Sequence, residues 1–342
     1  MYQKYDAVVF IGRFQPVHNA HIEIIKKAAR LADKVIIIIG SADQPRTYKN
    51  PWTWQERESL IRTVFELRIS KNVELIIEPA RDSIYNDTAW AVRIQDIVGK
   101  YTNPADNIAI IGHDKDESSF YLKMFPQWKR EYTGLFETLH STDIRDLYFR
   151  HEMNLNYLKG VLVQEVFDYL NDFKNTKEFD QVVAERTFIE TYKRQYEHLP
   201  YPPVFVTSDA VVVQSGHILL IKRKAEPGRG LWALPGGFLN AKTDKSMQDC
   251  MIRELREETG IKVPVPVLVG SIKNSQVFDA VDRSARGRTI THAFHIELPD
   301  GELPKVKGSD DAEKAKWVPI ASVDPVMCFE DHHEIITHFV GA

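Results

Sequence analysis

The stretch that decides the fold is Ala7-Val8-Val9-Phe10-Ile11-Gly12-Arg13-Phe14-Gln15-Pro16-Val17-His18-Asn19-Ala20-His21. Ala7 to Ile11 is a short apolar strand. The loop from Gly12 to Asn19 is polar and contains Gly and Pro. Ile22, Ile25, Ala28, Ala29 and Ala32 then recur at helical spacing and mark one buried face. Val35 to Ile39 is apolar at consecutive positions, which suits a parallel strand buried on both faces. Strand, loop, helix and strand together make a βαβ unit.

Further strands are expected at Val73 to Ile77, Ile108 to Ile111 and Leu135 to Leu139, with helices around Gln55 to Glu66 and Asp87 to Val98. Alternating elements of this kind predict a doubly wound parallel sheet. The composition shifts near residue 155, and residues 155 to 198 read as helical. Tyr201-Pro202-Pro203 punctuates the chain. Strand candidates follow at Thr207 to Val213, His217 to Lys222, Val267 to Ile272 and Thr291 to Leu298, interrupted by a helix from Lys245 to Thr259. The second half is therefore α+β with a mixed or antiparallel sheet. The expected organisation is a first domain over 1–172, a helical linker over 173–202 and a second domain over 203–342.

The 342 residues, 43% of them hydrophobic and 27% charged, can fill two cores. A net charge of −4 argues against a global basic field for nucleic acid. Two distant cysteines, Cys250 and Cys328, exclude a disulfide scaffold and a Cys-rich zinc site. They suit a reducing cytoplasm. Met1 to Asp6 carries charge without an apolar signal core, and no apolar run is long enough to cross a bilayer. A cytoplasmic protein without a membrane partner is expected.

His18 and His21 flank the expected helix start. There, unpaired backbone N–H groups and the positive helix end favour an anion, and imidazole donors add to it. Two histidines alone read first as a loop His and a helix His, and no third ligand at a recognisable spacing supports zinc.

The whole string Gly12-Arg13-Phe14-Gln15-Pro16-x-His18-x-x-His21 resembles the nucleotidyltransferase signature usually written HxGH, in the form carried by nicotinamide mononucleotide adenylyltransferases. Ser141-Thr142-Asp143-Ile144-Arg145 matches that family's second motif, Ser-Thr-x-x-Arg. The family glycine of HxGH is Ala20 here, which implies retained activity with altered affinity.

The resemblance implies a Rossmann-like domain that transfers AMP from ATP to nicotinamide mononucleotide. His18 and His21 would contact phosphates, with His21 stabilising the transition state. Ser141, Thr142 and Arg145 would grip the β- and γ-phosphates. Gly12, Arg13, Phe14 and Gln15 belong to the same binding loop. Arg46 and Lys115 are phosphate contacts or solvated surface charges. Trp90 either stacks on the nicotinamide ring or is a core tryptophan. Gly112-His113-Asp114-Lys115-Asp116 follows a strand where the ATP edge of the sheet is expected. Asn50-Pro51-Trp52 and Glu56-Arg57 match a stretch with a packing role.

In the second half, Gly236-Gly237 precedes Arg253-Glu254-Leu255-Arg256-Glu257-Glu258-Thr259-Gly260-Ile261. On a helix, Glu254, Glu257 and Glu258 share one face, and Gly260 supplies the stop. Crowded carboxylates call for a hard divalent cation. This resembles the Nudix box. Its rear half matches in full, but fifteen residues rather than thirteen separate Gly237 from Arg253. Lys245 stands where the family has its first Glu, and the adjacent Asp244 is a partial substitute.

That likeness implies Glu254, Glu257 and Glu258 as Mg²⁺ ligands, with Mn²⁺ an alternative, Glu254 and Glu257 being catalytic. Arg253 would orient the glutamates, and Asp310-Asp311 is a general-base candidate. Arg283, Arg286 and Arg288 lie in a segment similar to Nudix domains that act on ADP-ribose, and arginines can grip a diphosphate. ATP, nicotinamide mononucleotide and ADP-ribose are the implied small-molecule partners, and a homo-oligomer is compatible. Two rivals stand beside this reading. One is a nucleotidyltransferase for another phosphorylated acceptor. The other is an active adenylyltransferase whose Nudix half only senses ADP-ribose.

Overall fold

The computed structural model describes residues 4–69, 72–112, 121–134, 140–150, 154–308 and 312–341. The chain divides into two compact units, one up to Val183 and one from Ala184 on.

The first unit is built from β1 (Ala7–Gly12), α1 (Asn19–Leu31), β2 (Lys34–Ile39), α2 (Trp54–Arg68), β3 (Glu74–Pro79), α3 (Asp87–Gly99), β4 (Ile108–Gly112), β5 (Lys129–Tyr132), α4 (Ser141–Tyr148) and α5 (Gln164–Phe173). α6 (Lys177–Arg194) contains the division between units. The sheet order is β3-β2-β1-β4-β5, and every pairing is parallel. Apolar residues at consecutive positions of β1 and β2 are consumed by two cores, one on each face. Val8, Phe10, Val35 and Ile37 pack on one side, and Ala7, Val9, Ile36 and Ile38 on the other. Complete burial of one such aliphatic side chain contributes roughly 1.5–3 kcal/mol. The chain leaves β1 toward β2 and β3 and returns to β4 on β1's other side. The crevice at the carboxyl ends of β1 and β4 is therefore the switch point, where ligands bind in open α/β sheets.

The second unit contains β6 (Phe205–Gln214), β7 (His217–Arg223), β8 (Trp232–Ala233), β9 (Gly236–Phe238), α7 (Met247–Thr259), α8 (Val265–Gly270), β10 (Ile272–Phe278), β11 (Thr289–Glu297), β12 (Ala312–Pro319) and α9 (His332–Val340). Its sheet runs β10-β11-β6-β7-β12, with β8 paired to β7 and β9 to β6. β11 and β6 pair in parallel and the other pairs are antiparallel, so the sheet is mixed. Met251, Ile252 and Leu255 of α7 seal a core against Ala210, Val212 and Leu219.

One expected strand is corrected. Val267 to Ile272 is not a strand: α8 occupies Val265–Gly270, and β10 begins only at Ile272. Pro264 caps this helix and Pro266 lies in its first turn, where a missing N–H costs nothing. That preference outweighs the β-branched composition. The expected strand at Leu135 to Leu139 lies outside the described residues. Among the described residues, no helix is long and apolar enough to cross a membrane.

Candidate functional site

The loop after β1 is held by side chains from distant segments. Gln15 is buried. Its Nε2 donates to the Trp52 carbonyl at 2.9 Å, and its Oε1 accepts from the Trp52 N–H at 3.1 Å. Both ends of the amide are thus spent on the Asn50-Pro51-Trp52 segment, so the side chain shapes the loop rather than offering itself to a ligand. The buried Arg57 donates from Nη1 to the carbonyls of Arg13 at 2.6 Å and Gly40 at 2.8 Å, and from Nη2 to Ser41 at 3.0 Å. Burial lowers its pKa to about 10, still far above neutrality. Ser41 in turn donates from its N–H and hydroxyl to Asp82 at 3.1 and 2.5 Å.

Gly12 makes room for this packing. A Cβ there would stand 2.9 Å from the Phe14 ring. Phe14 is buried at φ 52° and packs edge-on to Phe10 and to His21, with ring centroids 5.3 and 4.9 Å apart. Arg13 remains exposed.

His18 is the N-cap of α1 without a side-chain cap bond, and the first turn carries no acidic residue. No acidic residue of that first turn compensates the positive helix end. The His18 and His21 rings lie face to face, centroids 3.9 Å apart and 34° between planes. The two histidines converge on one helix N-terminus.

Ser141 and Thr142 are the first residues of α4. The cap is His140, which forms a reciprocal capping box with Asp143. The Ser141 hydroxyl donates to the Pro16 carbonyl at 3.2 Å. Arg145 is buried. It donates to the Gln15 carbonyl at 2.7 Å and to Thr142 Oγ1 at 3.1 Å, and burial lowers its pKa to about 10. The Ser-Thr-x-x-Arg segment is thus brought onto the β1 loop, although the Arg145 fork is occupied by that loop's backbone.

Arg46 is braced on the Pro51 carbonyl and on Glu56, the latter at 3.0 Å. Trp90 is half-buried at the start of α3, with ring centroids 6.2 Å from Tyr121 and 6.0 Å from Phe125. Gly112 ends β4, and a Cβ there would meet Leu122 at 2.8 Å. His113, Lys115 and Asp116 lie outside the described residues, as do Asp310 and Asp311.

The second site rests on Gly236-Gly237. A Cβ on Gly236 would stand 2.3 Å from Asp209 Oδ1, and one on Gly237 would stand 2.5 Å from the Glu254 carboxyl. The two glycines let β9 approach both β6 and α7. α7 starts at Ser246, whose hydroxyl accepts from the Asp249 N–H, and stops at Gly260 with φ 59°.

Arg253 is the pivot of this site. Its Nε and Nη2 take both oxygens of Asp244 at 2.9 and 2.8 Å, and its Nη1 donates to Glu254 at 2.7 Å and Glu257 at 3.0 Å. The residues added to the box form a turn from Asn240 to Asp244 that delivers Asp244 to Arg253. Asp244, expected as a partial substitute for the missing first Glu of the box, is thus spent on Arg253. Its fork with Arg253 holds it well below the usual carboxylate range.

Glu258 is buried and accepts from the Gly236 N–H at 2.8 Å, and burial pushes its carboxyl up to about 8. Burial raises Glu254 as well. Among the described residues no three His, Cys, Asp or Glu stand close enough to enclose a metal as they are. The donor set nevertheless fits a hard cation. It consists of carboxyl groups, with Glu254 and Glu258 buried and Arg253 bonded to Glu254 and Glu257.

The three candidate arginines separate. Arg283 is buried in a bidentate ion pair with Asp331, both contacts at 2.8 Å. It is a structural pair and not a free diphosphate grip. Arg286 lies over the Phe238 ring, 5.0 Å from its centroid, with Nε buried and without a hydrogen-bond partner among the described residues. Arg288 is 4.0 Å from Asp279. Sequence reasoning passed over Asp209, which accepts from the Thr291 hydroxyl at 2.5 Å and whose carboxyl burial raises to about 6. An acid directly before the apolar run Ala210 to Val213 of β6 was its available signal. His332, whose Nδ1 accepts from the Leu234 N–H at 2.9 Å, was also passed over.

A parallel α/β unit with a histidine pair at a switch-point helix, followed by a mixed-sheet unit with a glutamate-bearing helix, defines a nucleotidyltransferase joined to a Nudix module. The chain belongs to the cytidylyltransferase-like family, whose model matches residues 9–210, and its C-terminal part to the NUDIX domain family, matched over residues 205–339. It is 32% identical to the nicotinamide/nicotinic acid mononucleotide adenylyltransferase of Acinetobacter baylyi, over 52% of this chain and 92% of that one. It is 33% identical to the ADP-ribose pyrophosphatase of Methanocaldococcus jannaschii, over 48% of this chain and 86% of that one. Among solved structures it is similar to a bifunctional NMN adenylyltransferase/ADP ribose pyrophosphatase from Francisella tularensis, complexed with AMP and a manganese ion. The TM-score is 0.91 at 34% identity, covering 98% of this chain and 99% of that one.

Proposed function

We propose that this chain is a bifunctional enzyme of NAD metabolism. Its first unit transfers AMP from ATP to nicotinamide mononucleotide, giving NAD and pyrophosphate. Its second unit hydrolyses ADP-ribose to AMP and ribose 5-phosphate. The observation that carries the reading is one chain bearing both sites and similar, over 98% of its length, to a solved protein that bears both activities in its name.

In the first unit the 5′-phosphate of the mononucleotide attacks the α-phosphorus of ATP in line, and pyrophosphate leaves. No covalent intermediate is needed, so the protein supplies position and charge. The open N-terminus of α1 and the His18–His21 pair receive the reacting phosphate, His21 stabilising its developing charge. The exposed Arg13, with Ser141 and Thr142 at the head of α4, is set to meet the leaving pyrophosphate. Arg145 and Gln15 act mainly by fixing the loop that carries the histidines.

In the second unit Glu254, Glu257 and Glu258 would hold Mg²⁺ or Mn²⁺. When bound, the ion neutralises the diphosphate and makes a water nucleophilic. Arg253 sets the rotamers of Glu254 and Glu257, and Arg286 offers its unpartnered Nε to the diphosphate. The enzyme would work in the cytoplasm on small molecules, without nucleic acid or membrane.

Product analysis of the intact chain tests this. ATP with nicotinamide mononucleotide should give NAD and pyrophosphate, and ADP-ribose with Mg²⁺ or Mn²⁺ should give AMP. Pyrophosphate release only with another acceptor would remove the first assignment. ADP-ribose binding without AMP, under either metal, would turn the second unit into a sensor.

A further inference from the structure

The segment from Cys328 to His332 is pinned on two sides within the second unit. On one side the Phe329 N–H donates to the Trp232 carbonyl at 2.8 Å, beside a bridge between Cys328 and Trp232. On the other, Asp331 takes the Arg283 fork, and Glu330 Oε1 accepts from the Ala285 N–H at 3.0 Å. Between these anchors Glu330 adopts φ 44°, a left-handed conformation that a non-glycine residue keeps only when its surroundings impose it. His332, the first residue of α9, follows this turn and is buried. Its Nδ1 accepts from the Leu234 N–H at 2.9 Å, across 98 residues of sequence. A backbone N–H can only donate, so Nδ1 is the bare nitrogen and the ring proton stands on Nε2. Burial and the charges of Arg283, Arg223 and Arg286 hold the ring well below the usual imidazole range, which keeps it neutral.

Leu234 stands two residues before Gly236, whose N–H holds Glu258 at 2.8 Å. Between them the Pro235 carbonyl accepts from the Ala210 N–H at 2.8 Å, which ties the segment to β6. Gly236 has no slack, because even a Cβ there would stand 2.3 Å from Asp209 Oδ1. A shift at Leu234 is therefore passed on to Gly236. We propose that His332 is a positioning residue of the second site: by fixing Leu234 it sets the Gly236 N–H that orients Glu258 toward a divalent cation. This deepens the hydrolase reading and rests on it. α9, which carries no residue of the glutamate-bearing helix, thereby becomes part of that helix's support.

The test uses the intact chain with His332→Leu, which fills the space and deletes the acceptor, and His332→Asn, whose Oδ1 stands where Nδ1 does. Ile335→Ala removes a buried side chain of α9 and leaves the acceptor in place. Mn²⁺ affinity is measured by calorimetric titration without substrate. KM for ADP-ribose is measured at saturating Mn²⁺, and both well below the melting transition. His332→Leu should weaken Mn²⁺ affinity about 10- to 100-fold, the usual cost of losing a group that orients a metal ligand. Its KM for ADP-ribose should stay within about 3-fold of wild type. His332→Asn should recover the Mn²⁺ affinity to within about 3-fold. Ile335→Ala should lower the melting temperature and leave Mn²⁺ affinity unchanged. Should His332→Leu fail to fold, His332→Gln takes its place with the same expectation, since its amide lies one bond further out and misses the Leu234 N–H.

Wild-type Mn²⁺ affinity in His332→Leu, or a loss of equal size in His332→Asn or in Ile335→Ala, overturns the proposal. Wild type that binds Mn²⁺ and releases no AMP removes the hydrolase reading instead, and the metal affinities of the variants still decide the role of His332. Wild type that binds no Mn²⁺ overturns the metal site and the proposal with it.

Discussion

At the head of α1 the protein buries cations against its own carbonyl oxygens, whereas along α7 it buries carboxyl groups against a backbone N–H and a single arginine. Arg57 and Arg145 are satisfied before any substrate arrives, because the β1 loop supplies their acceptors. The histidine pair then stands at a helix end whose first turn carries no acidic residue. Glu254 and Glu258 are in the reverse state. Their pKa values are raised chiefly because burial disfavours the ionised form. As proposed, the first site would take up anions and the second would be completed by cations.

The largest effects should follow from striking each site at its own sign. Glu258→Gln removes a carboxylate that only a cation can satisfy, and ADP-ribose hydrolysis should fall by about 10³-fold or more, since metal stabilisation is several kcal/mol. NAD synthesis should stay at wild-type level. His21→Ala should give the mirror result, a fall of about 10²–10³-fold in NAD synthesis, the cost of one oxyanion donor, with hydrolysis intact. Steady-state assays of both reactions on each variant decide it. A variant that damages both reactions equally breaks the separation of the two sites.

Next come the buried arginines, whose effect should appear in stability. Arg57→Ala leaves the carbonyls of Arg13, Gly40 and Ser41 without their donor, and unmet buried acceptors cost about 1–3 kcal/mol each before relaxation. Arg283→Ala removes one member of a buried bidentate ion pair, at about 3–5 kcal/mol. Calorimetry should show the melting transition lowered in each. In Arg283→Ala, KM for ADP-ribose measured well below that transition should change little. A large KM change with unchanged melting would return Arg283 to the substrate.

These arginines mark the boundary of what the sequence made legible. Motifs compact along the chain, Gly12 to His21 and Gly236-Gly237 with Arg253 to Gly260, declared both the fold and the sites, because the chemistry sits within one loop or one helix. Arg283 was read as a substrate grip because three arginines in six residues look like one. Its partner Asp331 lies 48 residues away and left no local trace. Arg145 meets a carbonyl 130 residues back, and Gln15 a segment 37 residues on. Long-range pairing of this kind separates a side chain that holds a site from one that touches its ligand. Asp209 stands directly before the apolar run of β6, a signal that its neighbour on β11 explains only in three dimensions.

A smaller effect sharpens the contrast in sign. The Glu258 carboxyl is pushed up to about 8 in the folded, metal-free chain, whereas an unfolded Glu ionises near about 4.3. Between those values the folded chain keeps a proton that the unfolded chain has lost, so stability falls as pH rises through the window. Asp209, raised to about 6, acts in the same direction. A divalent cation binds the ionised form, so the stabilisation it adds should grow from pH 5 to pH 8. Melting temperatures with and without Mg²⁺ or Mn²⁺ should show this, and Glu258→Gln should flatten both trends. A metal increment independent of pH would place the cation on other ligands.

The smallest effect belongs to Ala20→Gly, which restores the residue expected in the HxGH pattern. Ala20 is the second residue of α1, beside the histidine pair. The methyl it adds narrows the approach of a phosphate to the helix N–H groups, and glycine in its place costs about 1 kcal/mol or less of helix stability. The substitution should shift KM for ATP or nicotinamide mononucleotide by less than about 5-fold and leave kcat within about 2-fold. In the proposed mechanism the groups that meet the phosphate are the helix end and the imidazoles, and the substitution leaves both in place. A change in kcat above about 10-fold, equivalent to about 1.4 kcal/mol, would mean that the methyl presses on the phosphate in the transition state. The first site would then also depend on the fit of a side chain to its substrate, and the contrast between an anion cradle and a cation-completed carboxylate face would narrow to charge alone.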